Sequence, residues 1–352
     1  MQLSRYDVPI VICIDVEPDL DFFIIEKNPN ARATANMWDS FKASGDFFES
    51  LRTTLSVQDK PVFSWFVRAD PQVAFDFGSA DYGLTRFRDY IDHWKAQGDE
   101  IGLHVHAWHH NPATEEWIDD RTDQDWVANC VGVGFEAFRR QMGDEPRCFR
   151  FGNRWMNTPT MNLIRKLGAQ VDMTLEPGYR ESLWTPYLRG YPEWLNVPHV
   201  PYAPSLDDYT RPSGEMVGRL VELPLTTVIV SITRKLEKMF RLLEAIFARK
   251  RNLSQVPHGP VIKELGWYLR TKYGRLDLSL SSLQFRKVTR SILNRRDRPY
   301  FGLVLRSDQC QNRQECSLIG KNMEHLVEEI RRAGHSPTVT TPTKAIEILG
   351  HT

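Results

Sequence analysis

Short runs of apolar, β-branched residues alternate with segments of helical periodicity along most of the chain. The first run, Val8–Ile14, has no charged or amide side chain, which is typical of a strand buried on both faces of a sheet. Strands that alternate with helices form a parallel sheet, because each helix returns the chain to the edge where the next strand begins. No run is followed by a glycine-rich dinucleotide-binding fingerprint. The alternation therefore predicts an α/β fold and favours a barrel over a doubly wound sheet.

The pattern assigns an element to most of the chain outside residues 177–220, where many Pro, Tyr and Trp residues predict long ordered loops. The predicted strands are Val8–Ile14, Pro61–Val67, Glu100–Val105, Cys148–Phe151, Val171–Leu175, Leu220–Pro224, Pro299–Leu305 and Ser336–Thr340. The predicted helices are 35–58, 84–97, 123–142, 158–167, 231–250, 280–296 and 317–333, followed by a short closing helix. Active sites in parallel barrels lie at the carboxyl ends of the strands, so the residues that end each strand are the candidates for function.

The composition excludes several other classes of protein. With 41% hydrophobic and 26% charged residues, the chain is neither collagen-like nor mostly disordered. Basic and acidic residues number 45 each but are unevenly distributed. Residues 1–130 hold about twelve more acids than bases, which predicts a cation site. Residues 231–300 hold about twelve more bases than acids, which predicts an anionic partner or packing against the acidic half.

The sequence also carries few signs of membrane insertion or export. It has no window of about 18 apolar residues, the length that a bilayer-spanning helix needs. The first apolar run is short, lacks a small-residue cleavage site and is followed by acids, so a signal peptide is not expected. The five cysteines are odd in number and scattered, which indicates reduced thiols. A cytoplasmic location is therefore the expectation.

Two acids end the first predicted strand. Asp15 and Glu17 are spaced by two, so on an extended chain they point to the same side. Neighbouring carboxylates repel each other unless a cation or a shared proton lies between them. The pair predicts one half of a metal site, and the alternative is a solvated strand end that caps the following turn.

Four of the ten histidines fall within seven residues at the end of the third predicted strand. His104 and His106 are again spaced by two and project together, and His110 follows four residues later. Two imidazoles and a carboxylate suit Zn²⁺, with Co²⁺, Ni²⁺ or Fe²⁺ as alternatives, and leave coordination positions open for water and substrate. The sequence therefore predicts a catalytic divalent-metal site, and a chance cluster of histidines is the alternative.

The fourth predicted strand ends in Arg150 and continues to Arg154 and Trp155. An arginine at a strand end can orient a carboxylate base or bind a substrate oxygen, although surface salt bridges are the plain alternative. Trp155 and other aromatic residues of the Pro-rich loops are candidates to stack on sugar rings, or else anchor the loops. We expect Arg154 and Trp155 to contact substrate.

In order and spacing, these strand-end residues resemble the polysaccharide deacetylase superfamily, also called the NodB-homology or carbohydrate esterase family 4 group. The resemblance spans residues 8 to about 349, with residues 177–298 as a family-variable insertion of loops and basic helices. It implies one domain over 1–352 with a distorted (β/α)₇ barrel fold. The matching segments are Ile14–Glu17, Glu100–His106, Phe149–Trp155, Thr158–Gly168, Val171–Asp172, Val304–Ser307 and Ser336–Leu349.

The resemblance also implies a reaction and roles for residues. The family hydrolyses an N-acetyl, or less often an O-acetyl, group on a sugar with the help of a metal. Carried over by position, Asp15 is the general base and Glu17, His104 and His106 are metal ligands. Asp15 and Glu17 could exchange roles, because the family's two acids are adjacent and here Val16 separates them. Arg150 would orient the base.

The sequence departs from the family's pattern in three places. The family's histidines are spaced by four, which His106 and His110 keep and His104 does not, so the second ligand is either His106 or His110. Gly152 replaces a proline of the third motif, and Arg306 replaces the family's general-acid histidine.

The replacement by Arg306 bears directly on catalysis. Arginine stays protonated at neutral pH, so it cannot readily act as a general acid. It can stabilise an oxyanion or bind a carboxylate or phosphate. The leaving amine would then take its proton from another group, such as His109 or Asp308.

Three functions are compatible with the sequence. The first is a metal-dependent hydrolase that removes an acetyl group from an N-acetylated sugar of a polysaccharide or its precursor. The second is hydrolysis of another small amide, which Arg306 favours if the substrate is anionic. The third is a non-catalytic glycan-binding protein. A carbohydrate is the expected partner, nucleic acid is not, and the basic amphipathic segment 231–251 predicts peripheral membrane contact or packing on the barrel.

Overall fold

A computed structural model describes the parts of the chain that build the central sheet and its surrounding helices. The described residues are 6–19, 38–113, 116–179, 188–189, 194–214, 220–229, 273–295 and 298–351. The predicted basic helix at 231–250, and with it the proposed membrane contact through 231–251, lies outside these residues. About half of the predicted insertion 177–298 does so too.

Within the described residues, strands and helices alternate as the periodicity predicts. The strands are β1 (Asp7–Val16), β2 (Ser64–Arg68), β3 (Glu100–Val105), β4 (Trp108–Asn111), β5 (Glu116–Asp120), β6 (Cys148–Phe151), β7 (Val171–Asp172), β8 (Leu188–Arg189), β9 (Val221–Glu222), β10 (Thr227–Ile229), β11 (Tyr273–Arg275), β12 (Phe301–Arg306) and β13 (Ser336–Val339). The helices are α1 (Asp39–Thr54), α2 (Pro71–Phe77), α3 (Tyr82–Arg86), α4 (Arg88–Ala96), α5 (Gln124–Met142), α6 (Thr158–Lys166), α7 (Ser282–Arg295), α8 (Arg313–Arg332) and α9 (Pro342–Ile348). None of these helices combines the length and the apolar character that a bilayer-spanning segment needs.

The central sheet is parallel and curls into a half-barrel. Its strands pair in the order β12, β1, β2, β3, β6, β7, β9, and β13 pairs with the first half of β1. The two edges approach each other where the Thr226 amide donates to the Gly302 carbonyl at 2.8 Å. This arrangement confirms the predicted distorted (β/α)₇ barrel.

Successive residues of β1 face two different layers of the core. Ile10, Ile12 and Ile14 pack in the outer layer between the sheet and the helices, whereas Val11 and Cys13 face the inside of the half-barrel. A slip of one residue would exchange these faces, so burial of both layers holds the register of the strand. Each fully buried isoleucine contributes about 1.5–3 kcal/mol to that preference.

Helix α9 closes one end of the inside of the half-barrel. Ala345 and Ile346 of α9 belong to the inner core, and the Thr343 amide donates to the Glu100 carboxylate, at the amino end of β3, at 3.3 Å. The carboxyl ends of the strands lie at the opposite end. Polar residues on the inner face are therefore expected to cluster at those carboxyl ends.

Most of the predicted elements are present, and the exceptions have simple causes. The predicted helix 84–97 is two helices, α3 and α4, which meet at Phe87. The predicted strand Val171–Leu175 pairs over only two residues, as β7. Helix α2 and the β4–β5 hairpin were not predicted, because α2 has seven residues and the hairpin sequence is polar.

Candidate functional site

Polar residues occupy the inner face of five neighbouring strands at their carboxyl ends. The alternation that turns Val11 and Cys13 inward on β1 continues along that strand to the two acids. Strand pairing aligns the neighbours, since Asp15 is in register with Arg306 and His104 is in register with both Arg68 and Arg150. The inward-facing strand-end residues are Asp15, Glu17, Arg68, His104, His106, Arg150 and Arg306.

Three of these residues bring metal-binding atoms together. Glu17 Oε2 lies 3.1 Å from His106 Nε2, which lies 3.0 Å from His104 Nε2. One ligand atom from each of the three residues lies within 4.8 Å of the others. We call Glu17, His104 and His106 the ligand triad. His110, the other candidate, instead packs its ring against Phe75 at 4.8 Å between ring centroids.

The ligand triad fits a divalent metal ion in spacing and donor type. Two ligands that bind one ion at about 2.0–2.1 Å are separated from each other by roughly 3.0–3.4 Å. The Glu17–His106 and His106–His104 atom pairs, at 3.1 and 3.0 Å, have this spacing. His104 Nδ1 donates to the Arg150 carbonyl at 3.0 Å, which leaves the lone pair of Nε2 facing the triad. His106 Nδ1 accepts a long hydrogen bond of 3.3 Å from the Trp108 indole, so metal binding would require its proton to leave Nε2.

Electrostatics keep two members of the ligand triad in the forms that bind cations. Burial alone would raise the pKa of Glu17, but Arg306, His106 and His104 outweigh it and hold the pKa well below its ordinary range. Burial lowers the pKa of His104 to about 4, despite the opposing charge of Asp15. A carboxylate and a neutral imidazole are therefore present at neutral pH.

Asp15 lies beside the ligand triad and is held by Arg150. Arg150 Nε donates to both Asp15 oxygens, at 2.9 and 3.0 Å, and Nη1 donates to the Met173 carbonyl at 2.8 Å. Burial would lower the pKa of Arg150, but the charge of Asp15 outweighs it and the pKa is raised. The arginine thus orients the carboxylate while remaining charged itself.

Gly152 packs directly against the ring of His106. A Cβ atom at position 152 would overlap the Nε2, Cδ2 and Cε1 atoms of that ring. The position that His106 takes in this chain therefore requires glycine at position 152.

We expect Gly152→Ala to displace His106 and to weaken metal binding by about 10- to 100-fold, the range seen when a ligand's supporting partner is lost. Chelator competition on the purified protein measures this. Gly132→Ala is the matched control, because a Cβ atom there, on the surface of α5, meets nothing within 4 Å. Equal metal affinity in the two variants would contradict the role of Gly152.

Arg68 and Asp70 support the ligand triad and were not predicted. Asp70 accepts the backbone amide of His106 at 3.0 Å and that of Val73, in the first turn of α2, at 3.1 Å. Arg68 donates to Asp70 at 2.7 Å and lies 3.7 Å from Glu17. Arg68 directly follows the predicted strand Pro61–Val67 and Asp70 comes two residues later, so the same strand-end rule would have found them.

Arg306 contacts the ligand triad and is partly exposed to solvent. Its Nε lies 3.4 Å from Glu17 Oε1 and its Nη2 lies 3.2 Å from Asp308 Oδ2. The charge of Glu17, against a smaller effect of burial, raises the pKa of Arg306, so it remains a cation. His109, the other residue considered as a proton donor, instead stacks on Trp126 at 4.7 Å between ring centroids.

The two predicted substrate-binding residues occupy different environments. Arg154 is partly exposed and pairs with Glu176 at 2.9 Å, and both Asn153 and Arg154 have positive φ angles, which non-glycine residues rarely adopt. Trp155 is only 6% exposed and packs in the hydrophobic core. The structure thus corrects the expectation that Trp155 offers an open stacking surface, because its ring is an anchor of the fold.

A buried pair of carboxyl groups lies on the neighbouring strands β7 and β9. Asp172 and Glu222 are fully buried, and the Thr174 hydroxyl donates to Asp172 at 2.6 Å. Asp172 Oδ2 and Glu222 Oε2 have no other donor among the described residues. Burial, and then the charge of Asp172, raise the pKa of Glu222 well above its ordinary value, so a proton held by Glu222 joins the pair.

This pair predicts a pH dependence of stability. The folded protein binds a proton at Glu222 that the unfolded chain releases above a pH of about 4.5, so the pair loses stability as the pH rises from there. Glu222→Gln supplies the same hydrogen bond without titrating. Between pH 5 and pH 8, we expect the free energy of unfolding of Glu222→Gln to rise relative to that of the unsubstituted protein. The rise is up to about 1.4 kcal/mol for each unit by which folding raises the pKa of Glu222. Urea denaturation at pH 5 and pH 8 measures the difference, and a pH-independent difference would contradict it.

The half-barrel fold is similar to that of solved structures of other proteins. Over 99% of this chain and 71% of the other, the structure superposes with a TM-score of 0.51 and 13% identity on a protein from Parabacteroides distasonis assigned provisionally as a glycoside hydrolase/deacetylase. A protein from Mycobacterium smegmatis assigned provisionally as a polysaccharide deacetylase has a TM-score of 0.48 and 13% identity over 99% and 95% of the two chains. No family model and no curated protein matches the sequence. At this level of identity, the likeness is one of fold.

Proposed function

We propose that this chain is a metal-dependent hydrolase that removes the acetyl group from an N-acetylated sugar. The convergence of the ligand triad beside the Asp15–Arg150 pair carries the proposal. Metal ligands and a separately oriented carboxylate are the two components that assisted hydrolysis of an amide requires. The fold shared with the Parabacteroides distasonis protein supports the same reaction class.

In this proposal Glu17, His104 and His106 hold the divalent ion. Zn²⁺ is the first candidate, with Co²⁺, Ni²⁺ or Fe²⁺ as alternatives, because a carboxylate and two imidazoles suit each of them. When bound, the ion supplies Lewis acidity, which polarises the acetyl carbonyl and makes water more acidic. Arg68 and Asp70 keep Glu17 and the His106 backbone in place.

Asp15 accepts a proton and then returns it in the proposed reaction. It takes a proton from the attacking water as the new C–O bond forms at the acetyl carbon. The C–N bond then breaks, acetate leaves, and the nitrogen needs one proton to depart as an amine. Since Arg306 cannot supply it, Asp15 returns the proton that it took, and Arg150 keeps the carboxylate aligned for both transfers.

Aromatic rings on two elements that follow site residues in the chain favour a carbohydrate substrate. Phe75, on α2, is 62% exposed, and its ring lies 5.3 Å from that of Trp117 and 4.8 Å from that of His110. Helix α2 and the β4–β5 hairpin, which carry these residues, directly follow Asp70 and His106 in the chain. Exposed ring faces beside a catalytic site are suited to stacking on sugar rings.

Acetate release from a panel of N-acetylated mono- and oligosaccharides tests the proposal, with metal-loaded and chelator-treated protein compared. We expect acetate from at least one sugar with the loaded protein and none after chelation. Binding of a glycan without release of acetate, unchanged by chelation, would instead favour a non-catalytic glycan-binding protein. Release from a small non-sugar amide alone would move the reaction to another substrate class.

A further inference from the structure

Arg306 differs from the other two arginines of the site in how firmly it is held. Arg68 and Arg150 are buried and donate to carboxylates at 2.7 and 2.9 Å. The side chain of Arg306 is 45% exposed, and its contacts with Glu17 and Asp308 are longer, at 3.4 and 3.2 Å. Arg68 and Arg150 therefore hold other residues of the site in place, whereas the Arg306 side chain is partly exposed to solvent.

The geometry of the guanidinium leaves an edge available. Arg306 contacts Glu17 through Nε and Asp308 through Nη2, and Nη1 makes no hydrogen bond to the residues that the structure describes. Nη1 and Nη2 form the outer edge of the planar group, which matches the two oxygens of a carboxylate or phosphate. Because Arg306 contacts Glu17 of the ligand triad, a molecule that reaches the triad comes within range of this edge.

The charge of the site permits an anion there. Asp15, Glu17, Asp70 and Asp308 contribute four negative charges against the three positive charges of the arginines. A divalent ion in the ligand triad would change this sum from one negative to one positive charge. With the metal bound, an anionic group beside Arg306 is attracted rather than repelled.

Resting on the function proposed above, we infer that Arg306 binds an anionic group of the substrate, so that the enzyme acts on acetylated sugars that carry a carboxylate or a phosphate. The position is the one that a general-acid histidine occupies in the pattern that the sequence resembles. An arginine at this position cannot readily donate a proton, but it can bind an anionic group. The remaining option, stabilisation of negative charge in the transition state alone, would act on neutral and anionic sugars alike.

Three sugars that differ only at carbon 6 test this inference on the metal-loaded protein: N-acetylglucosamine, its 6-phosphate and its 6-carboxylate. We expect kcat/KM for an anionic sugar to exceed that for the neutral one, and Arg306→Gln to reduce this ratio by about 10- to 100-fold. Arg306→Lys should restore part of the ratio, and Arg313→Gln, at an exposed position on α8, should leave it unchanged. The phosphate and carboxylate arms identify which anion is recognised.

Direct binding keeps this test separate from that of the proposed function. Calorimetry measures the affinity of the same three sugars even if none releases acetate, in which case the hydrolase proposal fails and the anion site is still tested. We expect the affinity for an anionic sugar to fall in Arg306→Gln. Equal effects of this substitution on neutral and anionic sugars, or no preference of the unsubstituted protein for either anion, would overturn the inference.

Discussion

Replacing His104 or His106 by alanine is expected to abolish stoichiometric metal binding. Each substitution removes one of three donor atoms that lie about 3.0–3.1 Å from a neighbouring donor. Because the loss of a mere supporting partner already costs about 10- to 100-fold, we expect the loss of a ligand to cost more than about 100-fold in affinity. Elemental analysis of the purified protein and chelator competition measure the effect without reference to any substrate.

Two nearby histidines supply the controls for this experiment. His109 and His110 lie within the same segment of sequence but stack on Trp126 and against Phe75, outside the ligand triad. Their alanine variants should retain about one equivalent of metal. If His110→Ala lost the metal and His106→Ala kept it, the family's histidine spacing would describe the site better than this structure does.

Asp15→Asn is expected to reduce kcat for acetate release by about 10²- to 10⁴-fold, the usual contribution of a general acid–base group. The amide has nearly the same shape but cannot accept a proton from water. Metal content should stay at about one equivalent, because Asp15 is held by Arg150 and is not part of the ligand triad. Kinetics and elemental analysis of the same preparation separate the two roles.

Asp19→Asn is the matched control for Asp15→Asn. Asp19 lies four residues further along the chain and accepts hydrogen bonds from Ser40 and Gln311, neither of which belongs to the ligand triad. We expect its kcat to stay within a few-fold of the unsubstituted protein. Loss of metal in Asp15→Asn, with activity restored by excess metal, would show that Asp15 is a ligand and that the roles of Asp15 and Glu17 are exchanged.

Much of the site could be predicted because it follows from the periodicity of extended chains. A spacing of two is enough to place Asp15 with Glu17, and His104 with His106, on one face of their strands. The meeting of the two pairs follows from the parallel sheet, in which all carboxyl ends lie at one edge. The same reasoning applies to Arg150, whose strand pairs directly with that of His104.

The remaining parts of the site depend on packing that no spacing encodes. Trp155 resembles a substrate platform in the sequence, but its burial is decided by contacts with residues distant in the chain. Glu222 belongs to a strand of two residues, and its pairing with Asp172 depends on strand order across the sheet. The need for glycine at position 152 becomes visible only once the ring of His106 is in place.

Strands with buried apolar residues were predicted, and the polar hairpin was missed. Strands β3 and β6 have the predicted bounds. The β4–β5 hairpin carries histidine, asparagine and acids where a buried strand would carry apolar residues, and no alternation distinguishes it from a loop. Its strands are paired mainly through the backbone, for which most side chains suffice.

Arg150 acts on the site through two separate parts of one residue. Its side chain binds Asp15, whereas its carbonyl oxygen accepts the Nδ1 proton of His104. A substitution changes the first contact and leaves the second available, since every amino acid carries the same carbonyl. A mutation of Arg150 can therefore release the Asp15 carboxylate. It does not remove the backbone carbonyl that sets the tautomer of His104.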